Sequence, residues 1–228
     1  MSMQIKHVFF DLDHTLWDFE TNSDKTFALI FERNKVALDL MTFTETYRPI
    51  NRKYWKLFRE DKVSKSDLRY LRLREAFDAL EFEAGDELIH TLSEEYIAFL
   101  SLNNALFANA LEVLDYLRGK YRLHIITNGF EEVQHRKLDN SRLRPYFEQV
   151  ITSEKAGVKK PDPGIFLHAL EQAGARSEES IMIGDNFEAD ILGARNVGMQ
   201  AIFCEFNGEV ATEEVPTIRE LIELKSML

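Results

Sequence analysis

The stretch HVFFDLDHTLWDF, residues 7–19, decides the fold, because an unbroken apolar run ends abruptly in two aspartates separated by one residue. The run over residues 5–10 contains β-branched and aromatic side chains and predicts a buried strand. A buried strand that ends in Asp11 and Asp13 is costly unless a cation lies near their carboxylates. The stretch therefore predicts a cation site at the end of the first strand.

Beyond this stretch, the periodicity of the apolar residues changes twice. Over Thr21–Leu102, apolar residues recur at helical spacing, which predicts an all-helical block. After this block, apolar runs alternate with helical patterns up to a closing helix over residues 217–228, which is typical of parallel strands joined by crossovers. The sequence thus predicts an α/β fold with a doubly wound, Rossmann-like parallel sheet. Residues 1–15 and 105–228 form its core, and residues 16–104 are an inserted α-helical cap.

Composition is that of a globular protein and restricts its partners. The 228 residues are 45% hydrophobic and 29% charged, and the net charge of −11 argues against general nucleic-acid binding. No apolar stretch approaches the roughly 20 residues that span a bilayer, and no signal-peptide pattern is seen. The single cysteine, Cys204, is expected to be a buried strand thiol, which suits a reducing compartment. We expect a cytoplasmic monomer or homodimer with no membrane partner.

Groups of polar residues follow four of the predicted strands. In an open parallel sheet, ligands bind outside the carboxyl ends of the strands, so these groups are expected to meet in one pocket. The groups are Asp11 with Asp13, Thr127 with Asn128 and Gly129, Lys160, and Asp185 with Asp190. Each group alone is a weak signal, since a turn, a loop or a helix cap explains it equally well. All four in order, each at a strand end, indicate a shared site.

The residue types in these groups suit a phosphate held by a metal ion. Carboxylates of Asp11, Asp13 and Asp185 would repel one another, and Mg²⁺, which prefers oxygen ligands, would relieve that repulsion. Attack on a phosphomonoester dianion needs its charge neutralised, which Mg²⁺ and the Lys160 ammonium group can do. A carboxylate is ionised at neutral pH and forms a hydrolysable acyl phosphate, while Asp13 could protonate the leaving group. The pattern favours phosphoryl chemistry.

At these residues the sequence resembles the haloacid dehalogenase superfamily of phosphohydrolases. The resemblance rests on D-x-D-x-T at Asp11–Thr15, a hydrophobic strand ending at Thr127, Lys160 before Pro161, and G-D-x4-D at Gly184–Asp190. It covers nearly the whole chain, with residues 16–104 in the place of a helical cap. The dehalogenases of this superfamily usually lack the second aspartate, so the presence of Asp13 favours a phosphatase.

The resemblance implies metal-binding roles for three aspartates and catalytic roles for two of them. Asp11 would be the nucleophile that forms an aspartyl phosphate. Asp13 would be the general acid and base, with its backbone carbonyl also reaching Mg²⁺. Asp185 would be a further ligand of Mg²⁺, so the implied metal set is Asp11, Asp13 and Asp185.

The resemblance also implies how the phosphate is held. Thr127 and the Asn128 amide would bind the phosphoryl oxygens, and Lys160 would bridge the phosphate and Asp11. Asp190 would support Lys160 or a water molecule at the metal. The resemblance thus implies Thr127, Asn128 and Lys160 as the substrate-binding set and Asp190 as a supporting residue. The implied catalytic residues are Asp11, Asp13, Thr127 and Lys160.

The substrate implied by the resemblance is a small phosphorylated metabolite. The sequence DLDHTLWDF followed by an all-helical cap is most similar to pyrimidine 5′-nucleotidases, which act on nucleoside monophosphates. Phosphoglycolate and sugar-phosphate phosphatases have similar caps and stay as alternatives, as does a phosphomutase, which returns the phosphoryl group to its substrate. A non-catalytic phosphate-binding protein is disfavoured, because it needs no paired nucleophile and acid.

Two features near and within the insertion have two interpretations each. The basic residues Arg48, Arg52, Lys56 and Arg59 recur at helical spacing. They either steer anionic substrates or form a solvated face opposite an aromatic stripe. Trp17 either stacks on a nucleobase or packs between cap and core. We expect the cap to close over the substrate and exclude water from Asp11.

Overall fold

A computed structural model describes residues 4–228 and divides them into two compact units. One unit contains residues 4–19 and Asn104–Leu228, and the other is Glu20–Asn103. The first unit carries the whole sheet, and the second is helical. The predicted α/β class with a parallel sheet is therefore confirmed.

Within residues 4–228, six strands form one sheet in which every neighbouring pair is parallel. In chain order, the strands are β1 (His7–Phe10), β2 (Arg122–Thr127), β3 (Gln149–Thr152), β4 (Ser180–Gly184), β5 (Gln200–Cys204) and β6 (Thr217–Ile218). Their order across the sheet is β3-β2-β1-β4-β5-β6. The chain runs outward from β1 on one side and from β4 on the other, so the switch point lies between these two strands. Ligand sites form outside the carboxyl ends of the strands at such a point.

The helices are divided between the two units. The insertion holds α1 (Phe19–Asn34), α2 (Leu40–Arg59), α3 (Lys65–Ala79) and α4 (Asp86–Phe99), with Phe19 itself in the core unit. The core helices are α5 (Ala110–Arg118), α6 (Glu131–Asn140), α7 (Ser153–Ala156), α8 (Pro163–Ala173), α9 (Gly193–Asn196) and α10 (Leu224–Met227), and a π-helical turn spans Phe187–Leu192. The expected closing helix over residues 217–228 is confirmed only in its second half, because Thr217–Ile218 form β6 and helical structure begins with a 3-10 turn at Leu221–Glu223 that leads into α10. None of the helices in residues 4–228 combines the length and apolar composition needed to cross a bilayer.

The central strand β1 is buried because it has neighbours on both sides. Val8, Phe9 and Phe10 have no exposed surface. Phe9 joins a core cluster that includes Phe166 of α8 and Met182 of β4. This packing fixes the end of β1, and with it the residue that follows. Cys204 in β5 is buried as predicted.

The helical unit has an aromatic core, as its apolar pattern indicates. The ring of Phe27 lies 4.7–4.9 Å, centroid to centroid, from the rings of Phe43, Tyr47 and Tyr96. Arg72 is also buried here, and its Nη1 donates a hydrogen bond of 3.0 Å to Oδ1 of Asn51. The aromatic stripes of the insertion are therefore its core.

Arg48 and Lys56, on the basic face of α2, are paired with acids of the same unit. Arg48 donates to Glu20 over 2.8 Å and to Asp24 over 2.6 Å, and Lys56 lies 3.2 Å from Glu60. Such partly exposed pairs contribute little to stability. They favour the interpretation of a solvated face for Arg48 and Lys56.

The segment that leads from the core into the insertion is hydrogen-bonded to the segment that leads back. The backbone N–H of Asp18 donates to the carbonyl of Ala105 over 3.1 Å, and that of Phe107 donates to Leu16 over 3.0 Å. Between these two bonds, Trp17 forms an antiparallel β-bridge with Leu106. The exit and the return of the chain therefore lie side by side in the core unit.

Two histidines pair inside the sheet, away from the strand ends that carry the acids. Nδ1 of His7 in β1 lies 3.1 Å from Nε2 of His124 in β2, and their rings stack with centroids 5.3 Å apart. Burial, with the charge of His7 as a second cause, lowers the pKa of His124 to about 4. Burial also lowers the pKa of His7. Burial therefore favours the neutral form of both rings.

We expect the contribution of His124 to the free energy of unfolding to fall as the pH decreases from about 6.5 towards 4, as the difference between the wild type and His124→Phe in urea unfolding would measure. His124 binds a proton near pH 6.5 when unfolded and only near pH 4 when folded, so its contribution is fully present above 6.5 and is lost below it. The full difference corresponds to about 3 kcal/mol. His124→Phe should remove this contribution and so change the pH slope of the free energy of unfolding, whereas His90→Gln, a change at an exposed histidine, should leave the slope as in the wild type. An equal slope in His124→Phe and wild type would contradict this account.

Candidate active site

Asp11 follows β1 directly, and Lys160 reaches it from the loop before α8. The Lys160 ammonium group donates to Oδ1 of Asp11 and Oδ1 of Asp190, each over 2.6 Å, and to the carbonyl of Ile126 over 2.7 Å. These bonds use all three N–H donors of an ammonium group. The side chain of Lys160 is 3% exposed and that of Asp11 is 12% exposed. Lys160 therefore fixes one oxygen of Asp11, and no residue of 4–228 places a hydrogen-bond donor on the other oxygen, Oδ2.

The site holds more negative charge than Lys160 neutralises. Burial raises the pKa of Asp11 to about 7, and the nearby Asp190 charge adds to that rise while Lys160 opposes it. Burial also raises the pKa of Asp185 well above its usual range, and the charges of Asp11 and Asp190 raise it further. Burial alone would lower the pKa of Lys160, but the charges of Asp11 and Asp190 outweigh it, so that pKa is raised. A bound cation would relieve this repulsion.

Three carboxylates form an acidic cluster, which we call the Asp11–Asp185–Asp190 cluster. Each contributes one oxygen, and these oxygens all lie within 4.8 Å of one another. Oδ1 of Asp185 accepts a hydrogen bond of 3.1 Å from the Thr15 hydroxyl, and Oδ2 of Asp190 accepts one of 3.0 Å from the backbone of Asn186. A donor set that consists only of oxygen suits a hard divalent cation such as Mg²⁺. The residues present therefore fit the expected ion.

The G-D-x4-D spacing reflects close packing at the end of β4. A Cβ atom on Gly184 would lie 2.3 Å from Oδ2 of Asp190, so a larger residue cannot occupy this position without moving that carboxyl group. The π-helical turn Phe187–Leu192 carries Asp190 back towards the strand. Asn186 caps this turn by accepting a bond of 2.8 Å from the backbone of Ala189. The local fold therefore holds Asp190 in the cluster.

Thr127 ends β2 and accepts two hydrogen bonds. Its hydroxyl oxygen receives the backbone N–H of Gly129 over 3.1 Å and Nε2 of Gln134 over 2.7 Å. Gln134 lies so close to Gly129 that a Cβ atom there would be 2.1 Å from Nε2. The Thr127 side chain is therefore held by its own turn and by α6.

Asn128 holds the loop that carries the lysine. Its Nδ2 donates to the carbonyl of Lys160 over 2.9 Å, and its Oδ1 accepts from the backbone N–H of Lys160 over 2.8 Å. This reciprocal pair joins the turn after β2 to the loop before α8. The side chain of Asn128 is thus occupied in positioning Lys160.

Asp13 does not bring its carboxylate into the acidic cluster. Its Oδ1 accepts a bond of 2.5 Å from Nζ of Lys137, and its Oδ2 accepts one of 2.8 Å from Nε2 of Gln134. Both partners lie on α6, and none of the sequence motifs contains them. The only signal in the sequence was that Lys137 falls at an inward position of an amphipathic helix.

Trp17 is fully buried and packs against this lysine. The Lys137 ammonium group lies 4.2 Å from the centre of the Trp17 ring and 5.3 Å from that of Phe19. A ring with no exposed surface favours the packing interpretation over stacking on a nucleobase.

The site residues predicted from the sequence fall into two connected groups. Asp11, Lys160, Asp185 and Asp190 meet directly, and Gln134 links Asp13 to Thr127; their catalytic roles stay predictions.

A comparison with protein-family models decides the family. The model of the haloacid dehalogenase-like hydrolases matches residues 5–198. The chain belongs to this family. The resemblance inferred from the motifs is therefore confirmed. Relatives that are themselves phosphatases support the assignment of this haloacid dehalogenase-like hydrolase as a phosphatase.

Relatives of this haloacid dehalogenase-like hydrolase match it over most of its length. Pyrimidine 5′-nucleotidase PynA of Streptococcus pneumoniae is 34% identical over 204 residues, which are 88% of this chain and 84% of PynA. Glyceraldehyde 3-phosphate phosphatase of Methanothermobacter thermautotrophicus is 33% identical over 239 residues, covering 98% of this chain and 100% of that protein. The crystal structure of the HAD-hydrolase YfnB of Bacillus subtilis, bound to magnesium, is 27% identical with a TM-score of 0.88 and covers 99% of both chains.

Mg²⁺ is expected to raise the melting temperature of this haloacid dehalogenase-like hydrolase. At about 100 times its Kd, an ion that binds only the folded state adds about 2.7 kcal/mol, or about 5–10 °C for a chain of this size. Asp185→Asn removes one carboxylate of the cluster and should abolish most of the shift. Glu188→Gln, at an exposed acid of the same π-helical turn, should leave it unchanged. Thermal unfolding with and without MgCl₂ measures both, and a full shift in Asp185→Asn would locate the ion elsewhere.

Proposed function

We propose that this hydrolase removes the phosphate from pyrimidine ribo- and deoxyribonucleoside 5′-monophosphates through an aspartyl phosphate on Asp11, with Mg²⁺ as cofactor. The environment of Asp11 carries the proposal. Lys160 holds one carboxylate oxygen over 2.6 Å, and the other carries no hydrogen-bond donor from residues 4–228. An oriented carboxylate with one available oxygen is suited to attack phosphorus.

In the first half of the reaction, Asp11 attacks phosphorus while the ester P–O bond breaks. Asp13, which has to enter this half of the reaction protonated, gives that proton to the departing nucleoside oxygen. The Thr127 hydroxyl already accepts two bonds, so its own hydrogen remains to donate to a phosphoryl oxygen. This half ends with a phosphorylated Asp11, a released nucleoside and an ionised Asp13.

In the second half, water attacks the phosphorus of the aspartyl phosphate and Asp13 accepts a proton from it. The bond between phosphorus and Asp11 breaks, inorganic phosphate leaves, and both carboxyl groups return to their starting state. Lys160 neutralises charge throughout. A direct contact of Lys160 with phosphate requires it to exchange one of its three bonds to the protein.

The residues that would hold Mg²⁺ are Asp11 and Asp185, with Asp190 beside them and the backbone carbonyl of Asp13 as a further proposed ligand. When bound, the ion supplies positive charge that stabilises the phosphoryl oxygens during transfer. The magnesium in the YfnB structure supports this choice of ion for a chain of the same fold.

The substrate assignment rests on the nucleotidase relative and on residues 11–19, and a phosphate-release panel with MgCl₂ tests it. The panel contains pyrimidine and purine nucleoside monophosphates, glyceraldehyde 3-phosphate and phosphoglycolate. We expect the highest kcat/KM for a pyrimidine nucleotide. Product analysis separates a phosphatase, which releases inorganic phosphate, from a mutase, which returns an isomeric phosphate ester.

A triose-phosphate phosphatase is the second candidate. The 33% identity to glyceraldehyde 3-phosphate phosphatase over 98% of this chain favours it nearly as strongly as the nucleotidase relative favours the first. A preference for glyceraldehyde 3-phosphate in the panel would overturn the nucleotidase assignment and leave the phosphatase standing.

Selection between such substrates is proposed for the Glu20–Asn103 unit acting as a cap. The residues around Asp11 recognise a phosphate, which all these substrates share, so discrimination has to come from other residues. If a chain in which a short linker replaces this unit kept both turnover and substrate preference, the unit would have no part in selection.

A further inference from the structure

Asp13 is held by two side chains that the phosphatase motifs do not contain. Nζ of Lys137 donates to Oδ1 of Asp13 over 2.5 Å, and Nε2 of Gln134 donates to Oδ2 over 2.8 Å. Both carboxylate oxygens therefore have a donor, and both donors come from one helix, α6. Two bonds to different oxygens fix the plane of a carboxylate as well as its position.

The lysine of this pair is itself confined. Its side chain is 2% exposed, and its ammonium group lies 4.2 Å from the ring centre of Trp17 and 5.3 Å from that of Phe19. Cations are attracted to aromatic faces at such distances, more strongly when they are shielded from water. Lys137 thus has little freedom to leave Asp13.

The glutamine extends the arrangement to the phosphate side of the site. Gln134 has no exposed surface, and its Nε2 also donates to the Thr127 hydroxyl over 2.7 Å. One amide group therefore connects the acid and base of the reaction to the hydroxyl that is proposed to hold a phosphoryl oxygen. The distance between the two groups is set by a single side chain.

We propose that Lys137 and Gln134 are positioning residues that hold the Asp13 carboxyl group in its orientation for proton transfer to the leaving group. The proposal rests on the function given above, in which Asp13 is the general acid. Each carboxyl oxygen has a second lone pair that the bond from α6 does not use, so the hold leaves a site for the proton. Proton transfer depends steeply on distance and angle, so a loosened Asp13 transfers poorly.

Leaving groups of different basicity distinguish positioning of an acid from a merely structural role. A nucleoside leaves as an alkoxide and needs the proton, whereas 4-nitrophenolate is a stable anion and leaves without one. The variants Lys137→Met and Gln134→Leu keep the size of each side chain and remove its donor. Their kcat/KM is measured on 4-nitrophenyl phosphate and on the alkyl ester that the wild type hydrolyses fastest.

For Lys137→Met we expect kcat/KM on the alkyl ester to fall about 100-fold and that on 4-nitrophenyl phosphate less than about 5-fold. Gln134→Leu should lower the alkyl value about 10-fold with a similarly small aryl effect. Both substrates are measured on one preparation, so a loss of folded protein cancels in the ratio. Arg136→Met, which removes an exposed cation of the same helix, should leave the ratio at the wild-type value.

An alkyl-to-aryl ratio that stays at the wild-type value in both Lys137→Met and Gln134→Leu overturns the positioning role while leaving the phosphatase intact. A wild type that hydrolyses neither ester overturns the proposed function, and the positioning role with it. The two failures are therefore distinguishable.

Discussion

Asp11→Asn should abolish the hydrolysis of phosphomonoesters, with a loss in kcat of about 10⁴-fold or more. The amide is a poor nucleophile, so no aspartyl phosphate forms. The change keeps the size of the side chain and keeps an oxygen that can accept the Lys160 hydrogen bond, now 2.6 Å long. The loss should therefore appear in kcat while the protein stays folded.

Release of 4-nitrophenolate in the presence of MgCl₂ measures this loss, and circular dichroism checks the fold. The matched control is Asp39→Asn, an exposed aspartate in the insertion that accepts the backbone N–H of Thr42 over 2.9 Å as a helix cap. Asparagine caps helices about as well as aspartate, so this variant should retain full activity. Turnover in Asp11→Asn near the wild-type value would refute Asp11 as the nucleophile.

Lys160→Met should lower both stability and activity. Without the ammonium group, the carboxylates of Asp11 and Asp190 lose a partner 2.6 Å away in a buried position. Breaking a buried ion pair in this way costs about 3–5 kcal/mol. Activity should fall about 10³-fold, because a positive charge beside the nucleophile is lost. Urea unfolding and 4-nitrophenyl phosphate hydrolysis measure the two effects.

The effect of Mg²⁺ on the melting temperature should distinguish Lys160→Met from the wild type. Loss of the ammonium group leaves the acidic cluster more negative, so MgCl₂ should raise the melting temperature of Lys160→Met more than that of the wild type. Lys159→Met, at the adjacent lysine, should match the wild type in stability and activity. If Lys160→Met matched it as well, the ion pairs seen at Asp11 and Asp190 would have no energetic importance.

The strand ends could be predicted from the sequence because the signals there are local. An apolar run followed by Asp11, and another followed by Asp185, indicate buried strands that end in acids. A general rule for parallel sheets then brings these distant residues together. The Asp11–Asp185–Asp190 cluster lies where that rule places a ligand site, beyond the carboxyl ends of β1 and β4.

The partners of Asp13 could not be predicted in the same way. Lys137 and Gln134 lie in a helix of mostly polar residues, where a lysine is ordinarily solvated. The apolar residues Val133 and Leu138 mark the inward side of this helix, but no local pattern specifies which group a lysine on that side meets. The side chain that meets Asp13 is thus a tertiary property.

The C-terminal segment shows the same limit. Residues 217–228 have a helical pattern, yet Thr217 and Ile218 pair with Phe203 and Cys204 and extend the sheet by one short strand. A two-residue strand has no periodicity of its own. Its pairing depends on an open sheet edge, which the sequence does not reveal.

The paired segments at residues 16–18 and 105–107 make the insertion a loop that is closed at its base by the core's own hydrogen bonds. The entropy of closing a loop grows slowly, by about 0.6 kcal/mol for each doubling of length. Lengthening or exchanging the helical unit is therefore nearly neutral for the folding of the sheet. Changes in the length or sequence of the helical unit are thus separable from the stability of the sheet whose β1 leads directly into Asp11.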